Sequence, residues 1–361
     1  MKTRISLVLA GFGLLALSAC GTGQQASAGT TTMSGPAPLD AALVTPTFGW
    51  VLTPNALLVT RDGGATFEKA APPLPAGPVR AAFFGDEVNG IAAAVDGDAI
   101  KVARTGDGGK TWSTSRVRDA NVGPTGYSTI AVSFGDKANG AILARTATSQ
   151  AFSMATLFAT TDGGATWSAL PAPEAGQVRV EPGGRTWVAG DTLDATTDQG
   201  RTWNRAEVKV DGSPTATTLA APIGSALPVT VVDGEQTSVE LLTSTDQGRT
   251  WGAPVRTPVK AKTGPGVRVP VARTGSGIVV FDSAGGHAYR AETGADLHPS
   301  GLPDGVVGAT FAGGGNAGWA LASFGTCASK QQDCVLHHEL VGTGNAGGTW
   351  HPLAVWLEPV K

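Results

Sequence analysis

The chain has 361 residues, 41% of them hydrophobic and only 15% charged, with 51 Gly and 23 Pro. Such a composition suits many short strands and turns rather than helices. The formal net charge is −3, and without Lys2 and Arg4 the chain holds 24 basic against 29 acidic residues. No basic block occurs, so neither nucleic acid nor acidic lipid is implied as a partner.

In chain order, Met1-Lys2-Thr3-Arg4 is a short positive region, and Ile5 to Leu17 is an apolar run broken only by small residues. It is too short for a membrane span and suits a signal peptide. The run ends Leu17-Ser18-Ala19-Cys20, which resembles a bacterial lipobox. That resemblance implies cleavage after residue 19 and a lipid, palmitate included, on Cys20. Residues 20–38 are almost free of large apolar side chains and cannot bury a core. They are expected to tether the folded part within roughly 25 Å of a membrane, on the extracytoplasmic side. Residues 39–361 then form one folded domain. No other segment is long and apolar enough to span.

An eight-residue phrase organises that domain. It stands at Thr60-Arg61-Asp62-Gly63-Gly64-Ala65-Thr66-Phe67 and recurs at 105–112, 160–167, 196–203 and 244–251. A final copy, 343–350, carries Asn345 where the others carry Asp62, Asp107, Asp162, Asp198 and Asp246. The aromatic end is Phe67, Trp112, Trp167, Trp203, Trp251 and Trp350. Physically this is a hairpin turn. Gly at the fifth position supplies positive φ, and the Asp carboxylate accepts backbone N–H groups of its own turn. The aromatic ring is an apolar wedge between neighbouring sheets. One carboxylate per turn is too few for calcium, so no metal is expected.

The phrase resembles the Asp-box, or BNR repeat, of the sialidase-like superfamily. The resemblance implies an all-β fold, a seven-bladed β-propeller of four-stranded antiparallel blades. Spacing fits that count. The turns begin at residues 60, 105, 160, 196, 244 and 343, and the last gap has room for one blade whose turn has eroded. There Val267–Ala272, Gly277–Asp282 and Ala288–Glu292 read as strands, and Thr293-Gly294-Ala295-Asp296 as a turn. A second phrase, Phe84-Gly85-Asp86 to Asn89-Gly90 and Phe134-Gly135-Asp136 to Asn139-Gly140, joins the first two strands of successive units. The segment Leu353–Trp356 is expected either to complete the last blade or to pair with the first.

Fold does not settle activity. Sialidase-like chemistry needs three arginines on a carboxylate, a Tyr–Glu nucleophile pair and an acidic proton donor. Arg80, Arg145 and Arg268 fall on or near inner strands, but the family's Arg-Ile-Pro motif is missing, and Tyr127 and Tyr289 stand in no family motif. Paired acids of the xyloglucanase type would act between two propellers, and Asp86 and Asp136 occupy equivalent repeat turns instead. His337-His338-Glu339 lies on an expected strand, where neighbours point to opposite faces and cannot chelate one ion. Gly183-Gly184 and Gly313-Gly314-Gly315 are turn glycines, without a following helix to hold phosphate.

The repeated phrases also resemble single-propeller proteins of the photosystem II assembly/stability factor type and the sortilin-like Asp-box group, which hold partners on a propeller surface. The reading from sequence is therefore a non-catalytic, lipid-anchored binding or assembly module, with an envelope protein or glycan as partner. A monomer without cofactor is expected, and a sialidase-like glycoside hydrolase is the alternative. Two links after fourth strands, Arg116–Tyr127 and Pro254–Gly266 with Lys260 and Lys262, are expected to frame the contact surface. Cys327 and Cys334 are an even pair in an exported chain and read as a disulfide, adding on the order of 2–3 kcal/mol.

Overall fold

The computed structural model describes residues 30–124, 126–146, 155–210, 214–219, 227–233, 238–260, 269–275, 277–283, 285–329 and 332–359. Seven sheets follow one another along the chain, each a four-stranded antiparallel meander in sequence order, the last with one further strand at its edge. The blades occupy residues 40–70, 80–117, 127–172, 177–205, 214–260, 271–297 and 306–359. First strands of adjacent blades pack together at five seams, and at the other two a second strand meets the next blade's first, so the first strands line the inside of a seven-bladed ring. Among the described residues no helix is long and apolar enough to cross a membrane.

Burial explains the strand sequences. A middle strand packs on a neighbour through both faces, so it reads as a continuous apolar run. Ala155–Thr160 and Leu57–Thr60 are buried at every residue. An outermost strand such as Ser168–Ala172 has no fully buried residue. The core is accordingly not one mass but seven layers, each shared by two adjacent blades. The wedge expected of the turn aromatics is seen here. Trp112 packs on the layer between blades one and two, Trp167 between two and three, and Trp350 between six and seven. The layer between blades five and six has Tyr289 instead, because blade six lacks the repeated turn.

Antiparallel alternation sorts the connections. The turns between strands one and two and between three and four share one face of the ring, here the turn face. The turns between strands two and three, and the links from blade to blade, share the other, the link face.

Blade six departs from expectation at two points: its first strand is Val271–Thr274 rather than Val267–Ala272, and its turn is shorter. Ala295–Leu297 is its fourth strand, so the turn ends before Ala295 rather than including Ala295 and Asp296. Without the Thr-Trp signal, this strand has no sequence mark. Closure is settled by the last blade, where His351–Pro359 completes blade seven antiparallel to Gln332–Thr343. Outside it lies a fifth strand, Thr31–Thr32, paired parallel to Ala354 and Val355. Met33 continues the pairing, its N–H donating to the Val355 carbonyl at 2.9 Å. The stretch expected to be tether thus contributes an edge strand to the ring. Blade seven is also taller than the rest. Gly318–Ser329 and Gln332–Thr343 have 12 residues each against 7 in Gly90–Asp96. The excess projects roughly 17 Å beyond the link face.

Candidate functional site: a cleft between blades two and three

Each repeated turn is closed by the same hydrogen bonds. In the first, the Thr60 hydroxyl donates to Asp62 Oδ1 at 2.7 Å and accepts the Gly64 N–H at 3.0 Å. Asp62 Oδ1 also accepts the Thr66 N–H at 2.9 Å, and Oδ2 the Thr66 hydroxyl at 2.6 Å. Asp107, Asp162, Asp198 and Asp246 repeat the set. In the last turn Asn345 keeps the Oδ1 bonds and reverses the other, its Nδ2 donating to the Thr349 hydroxyl at 3.0 Å. The hydroxyls of Thr111, Thr202 and Thr250 hold Asp107, Asp198 and Asp246 at a pKa of about 2. The expected positive φ at the fifth position is present, and the fourth position has it too. Gln199, Gln247 and Ala346 adopt φ of 65°, 63° and 58° there without being glycine.

The second phrase forms its own turn. Asp86 Oδ1 accepts the N–H groups of Val88 and Asn89, at 2.9 and 2.6 Å, and both Asp86 oxygens accept from the Asn89 amide. Asp136 does the same with Ala138 and Asn139 and takes a further N–H from Gly183 of blade four at 3.0 Å. The glycine that follows is forced, since a Cβ on Gly90 or Gly140 would enter the ring of Phe84 or Phe134.

Between these turns, on the turn face, opens a cleft of about 700 Å³, within the range of small-ligand sites. Phe83 and Phe134, 6.0 Å apart between ring centroids, form its floor, with Trp112 beside them. Phe134 also meets the Trp167 ring edge-on at 6.2 Å. Arg104, Lys137, Asp86, Asp136 and Asp162 stand around the rim. Burial would raise the pKa of Asp136, but N–H donors from Gly183, Asn139 and Ala138 outweigh it and hold the carboxyl well below the usual range. Asp86 is lowered likewise, against burial, by Asn89 and Val88 with help from the Lys137 charge. The Thr166 hydroxyl and N–H lower Asp162. A glycosidic general acid needs a raised pKa. These three carboxylates are held in the opposite condition, ionised and hydrogen-bonded by the turns they close.

The other candidates are dispersed. Arg80 is buried and donates to the Thr53 carbonyl of blade one at 3.0 Å, while Arg145 is exposed on strand two of blade three. Arg268, like Cys20 and Lys262, lies outside the described residues. Tyr127 is buried in blade three, its hydroxyl accepting the Asp119 N–H at 3.1 Å, and burial raises its pKa. Tyr289 is buried in blade six. His337 stacks on Phe324 at 5.1 Å, whereas His338 sits 3.7 Å from Glu358, its pKa lowered by burial. Among the described residues no group of three His, Cys, Asp or Glu side chains could hold a metal. Cys327 and Cys334 occupy directly paired positions on their strands.

The first expected link lies on the link face, opposite the cleft, and residues 261–266 of the second lie outside the described residues. The first is tied down: Arg116 and Arg118 pair with Asp96 and Asp98 at 3.0 Å each, and Asp119 accepts the Thr156 hydroxyl at 2.8 Å. Half of the second is not a link, since Val255–Lys260 is the fourth strand of blade five. Sequence reasoning missed the floor. Phe83 and Phe134 were visible as strand residues, but their approach across two blades is a product of ring closure.

No family model matches the chain, and no curated protein does. Solved structures do. The GH74 xyloglucanase from Xanthomonas campestris is 15% identical with a TM-score of 0.56, covering 91% of this chain and 55% of that one. An ancestral GH74 enzyme is 10% identical with a TM-score of 0.51, over 88% of this chain and 54% of its own. YCF48 bound to D1 peptide is 16% identical with a TM-score of 0.43, covering 90% and 87%. The chain thus spans about half the length of these two GH74 enzymes. At such identities the likeness is one of fold. The class it defines is the seven-bladed β-propeller with four-stranded antiparallel blades.

Proposed function

We propose that the protein is a binding or assembly propeller of the cell envelope, anchored by lipid on Cys20 and acting without catalysis. The observation that carries this reading is the state of the cleft between blades two and three. Its floor is aromatic, and its three rim carboxylates are consumed as hydrogen-bond acceptors and kept ionised. Such a cleft can seat an apolar side chain and orient it, but it lacks a poised proton donor. The lipobox-like Leu17-Ser18-Ala19-Cys20 supports the anchor. With Thr31–Thr32 held on blade seven, the chain between lipid and ring could reach at most ~35 Å. Direct pairing of Cys327 with Cys334 supports a disulfide at the tip of the tall blade.

The test is crosslinked affinity capture of the lipidated protein from its own membranes, with Cys20→Ala as control. One stoichiometric protein partner, lost with the anchor and weakened by Phe134→Ala, is the expected result. Turnover of a fluorogenic sialoside or glucan by the purified protein would overturn the non-catalytic reading.

A further inference from the structure

A second cleft opens on the turn face between blades four and five, and arginine dominates the charge of its lining. It measures about 550 Å³ and is lined by Arg185, Arg205 and Arg249, with Glu207 as its one carboxylate. The whole chain is net negative, so three guanidinium groups around one recess form a local field of opposite sign.

The three differ in how far they are committed. Arg185 donates to the Gln247 carbonyl at 3.1 Å and lies over the Trp187 ring, 5.9 Å from its centroid. Arg205 gives its Nε to the buried Asp194 at 3.3 Å, and its terminal nitrogens make no bond among the described residues. Arg249 is exposed, and its side chain makes no hydrogen bond or ion pair among the described residues.

Behind the cleft sits a fourth. Arg179, on the innermost strand of blade four, is paired directly with Trp187, so the two side chains share the face turned to blade five. Two residues earlier on that face, Gln177 is bound at both ends of its amide to the Leu219 backbone. Arg179 has no such partner. Its Nε is buried without an acceptor, and no carboxylate lies within ion-pair distance among the described residues. Burial pushes this guanidinium down from its ordinary value. The side chain as a whole is part-exposed, so what is left unmet is one buried N–H donor on a cation that faces no carboxylate among those residues.

We infer that the cleft between blades four and five binds an acidic segment of a protein partner, its carboxylates received by Arg249, Arg185 and Arg205 against the field of Arg179. Guanidinium forks fit carboxylates two bonds at a time. A peptide is favoured over an acidic glycan because the cleft offers no exposed ring for a sugar to stack on: Trp187 is 1% exposed and already covered by Arg185. Neutral groups between the cations, Asn204 and Thr197, suit peptide amides. The inference rests on the reading of the protein as a binding module and names the chemistry of its partner.

The experiment is a fluorescence-anisotropy titration of labelled hexaglutamate with the purified soluble chain, at low and physiological salt. Arg249→Ala and Arg185→Ala are each expected to weaken binding about tenfold, the weight of a charge-assisted hydrogen bond. Lys110→Ala, at the same turn position of blade two, should leave it unchanged. Arg179→Met should weaken binding without lowering the thermal midpoint, a pairing that simple structural damage would not produce. Equal loss with Lys110→Ala would reduce the effect to general charge and overturn the site, as would wild-type affinity in Arg249→Ala and Arg185→Ala. Displacement of hexaglutamate by trigalacturonate at lower concentration would overturn the assignment to a peptide. The titration needs no anchor and no membrane. If it succeeds where membrane capture fails, the site stands and the anchored-scaffold reading falls.

Discussion

Replacing Trp350 tests the claim that the ring is held by its inter-blade layers. This ring is 6% exposed, donates its Nε1–H to the Gly347 carbonyl at 3.1 Å, and meets Phe281 and Phe311 edge-on at 6.0 Å each. Burying roughly 200 Å² at about 25 cal/mol per Å² stabilises by ~5 kcal/mol, of which alanine would retain about 1. Trp350→Ala should therefore cost about 4 kcal/mol, within the range for buried Trp truncations. Trp251 fills the same role in blade five, but it is only partly buried and its Nε1 has no acceptor. Its truncation should cost about 1–2 kcal/mol. Trp350→Phe, which keeps an aromatic wedge and removes the N–H bond, should fall at about 1–2 kcal/mol. Urea denaturation followed by circular dichroism would rank the three. If Trp251→Ala cost as much as Trp350→Ala, burial and hydrogen bonding would not be what sets the strength of a layer.

Other expectations follow from single residues. A Cβ at Gly49 would stand 2.5 Å from Trp319 Cη2 and 2.9 Å from the Ala42 carbonyl, so Gly49→Ala should cost about 1–3 kcal/mol by overpacking, read by the same denaturation. Gln199 and Gln247 hold φ of 65° and 63°, and changing either to Gly should stabilise by about 0.5–1 kcal/mol, seen as a higher thermal midpoint. The turn carboxylates predict an acid limb. Asp107, Asp198 and Asp246 titrate near 2 when folded, below the ordinary carboxylate value. Depressed pKa values contribute stability above the unfolded pKa that is lost as pH falls through the folded one. The thermal midpoint should hold above about pH 4 and drop between about 4 and 2, and Asp107→Asn should flatten that drop. An unchanged slope would mean that the turn bonds survive protonation.

The blades were legible because their information is contiguous. Eight residues from Thr160 to Trp167 contain the hydroxyl, the carboxylate, the glycine and the ring that make a turn, so no distant partner is needed to recognise it. Where one member is lost the reading degrades, as at Ala295–Leu297, a strand that nothing in blade six marks. The clefts were not legible, for the converse reason. Phe83 and Phe134, or Arg185 and Arg249, become neighbours only when adjacent blades pack, and no local pattern states which residues face across that seam. The strand Thr31–Thr32 was hidden by composition. A polar, low-complexity stretch reads as tether, and only the free edge of His351–Pro359 turns two of its residues into structure.

One arrangement links three of the turns to the preceding blade through the left-handed residue at their fourth position. The N–H of Gly108 donates to the Val88 carbonyl in its own blade, at 2.9 Å, while its carbonyl accepts Arg61 from the preceding blade, at 2.9 Å. Ala346 repeats this, its N–H going to Asn316 at 2.8 Å and its carbonyl receiving Arg290 at 2.9 Å. The Gln247 carbonyl receives Arg185 in the same way. Positive φ sends the two polar groups of one residue toward different blades. That is reason enough for Ala346 and Gln247 to bear the strain where glycine has been lost, since relaxing φ would break the bond between blades. Gln199 holds the same φ without such a bond among the described residues. The three arginines come from different places, a turn, the approach to a second strand and a third strand, and share only their target. Their convergence at three seams shows that a guanidinium can reach this carbonyl from more than one position in the preceding blade. In blade four that reach brings Arg185 to the mouth of a cleft where Arg205 and Arg249 already stand, so a device that fastens blades also supplies part of an anion-binding surface.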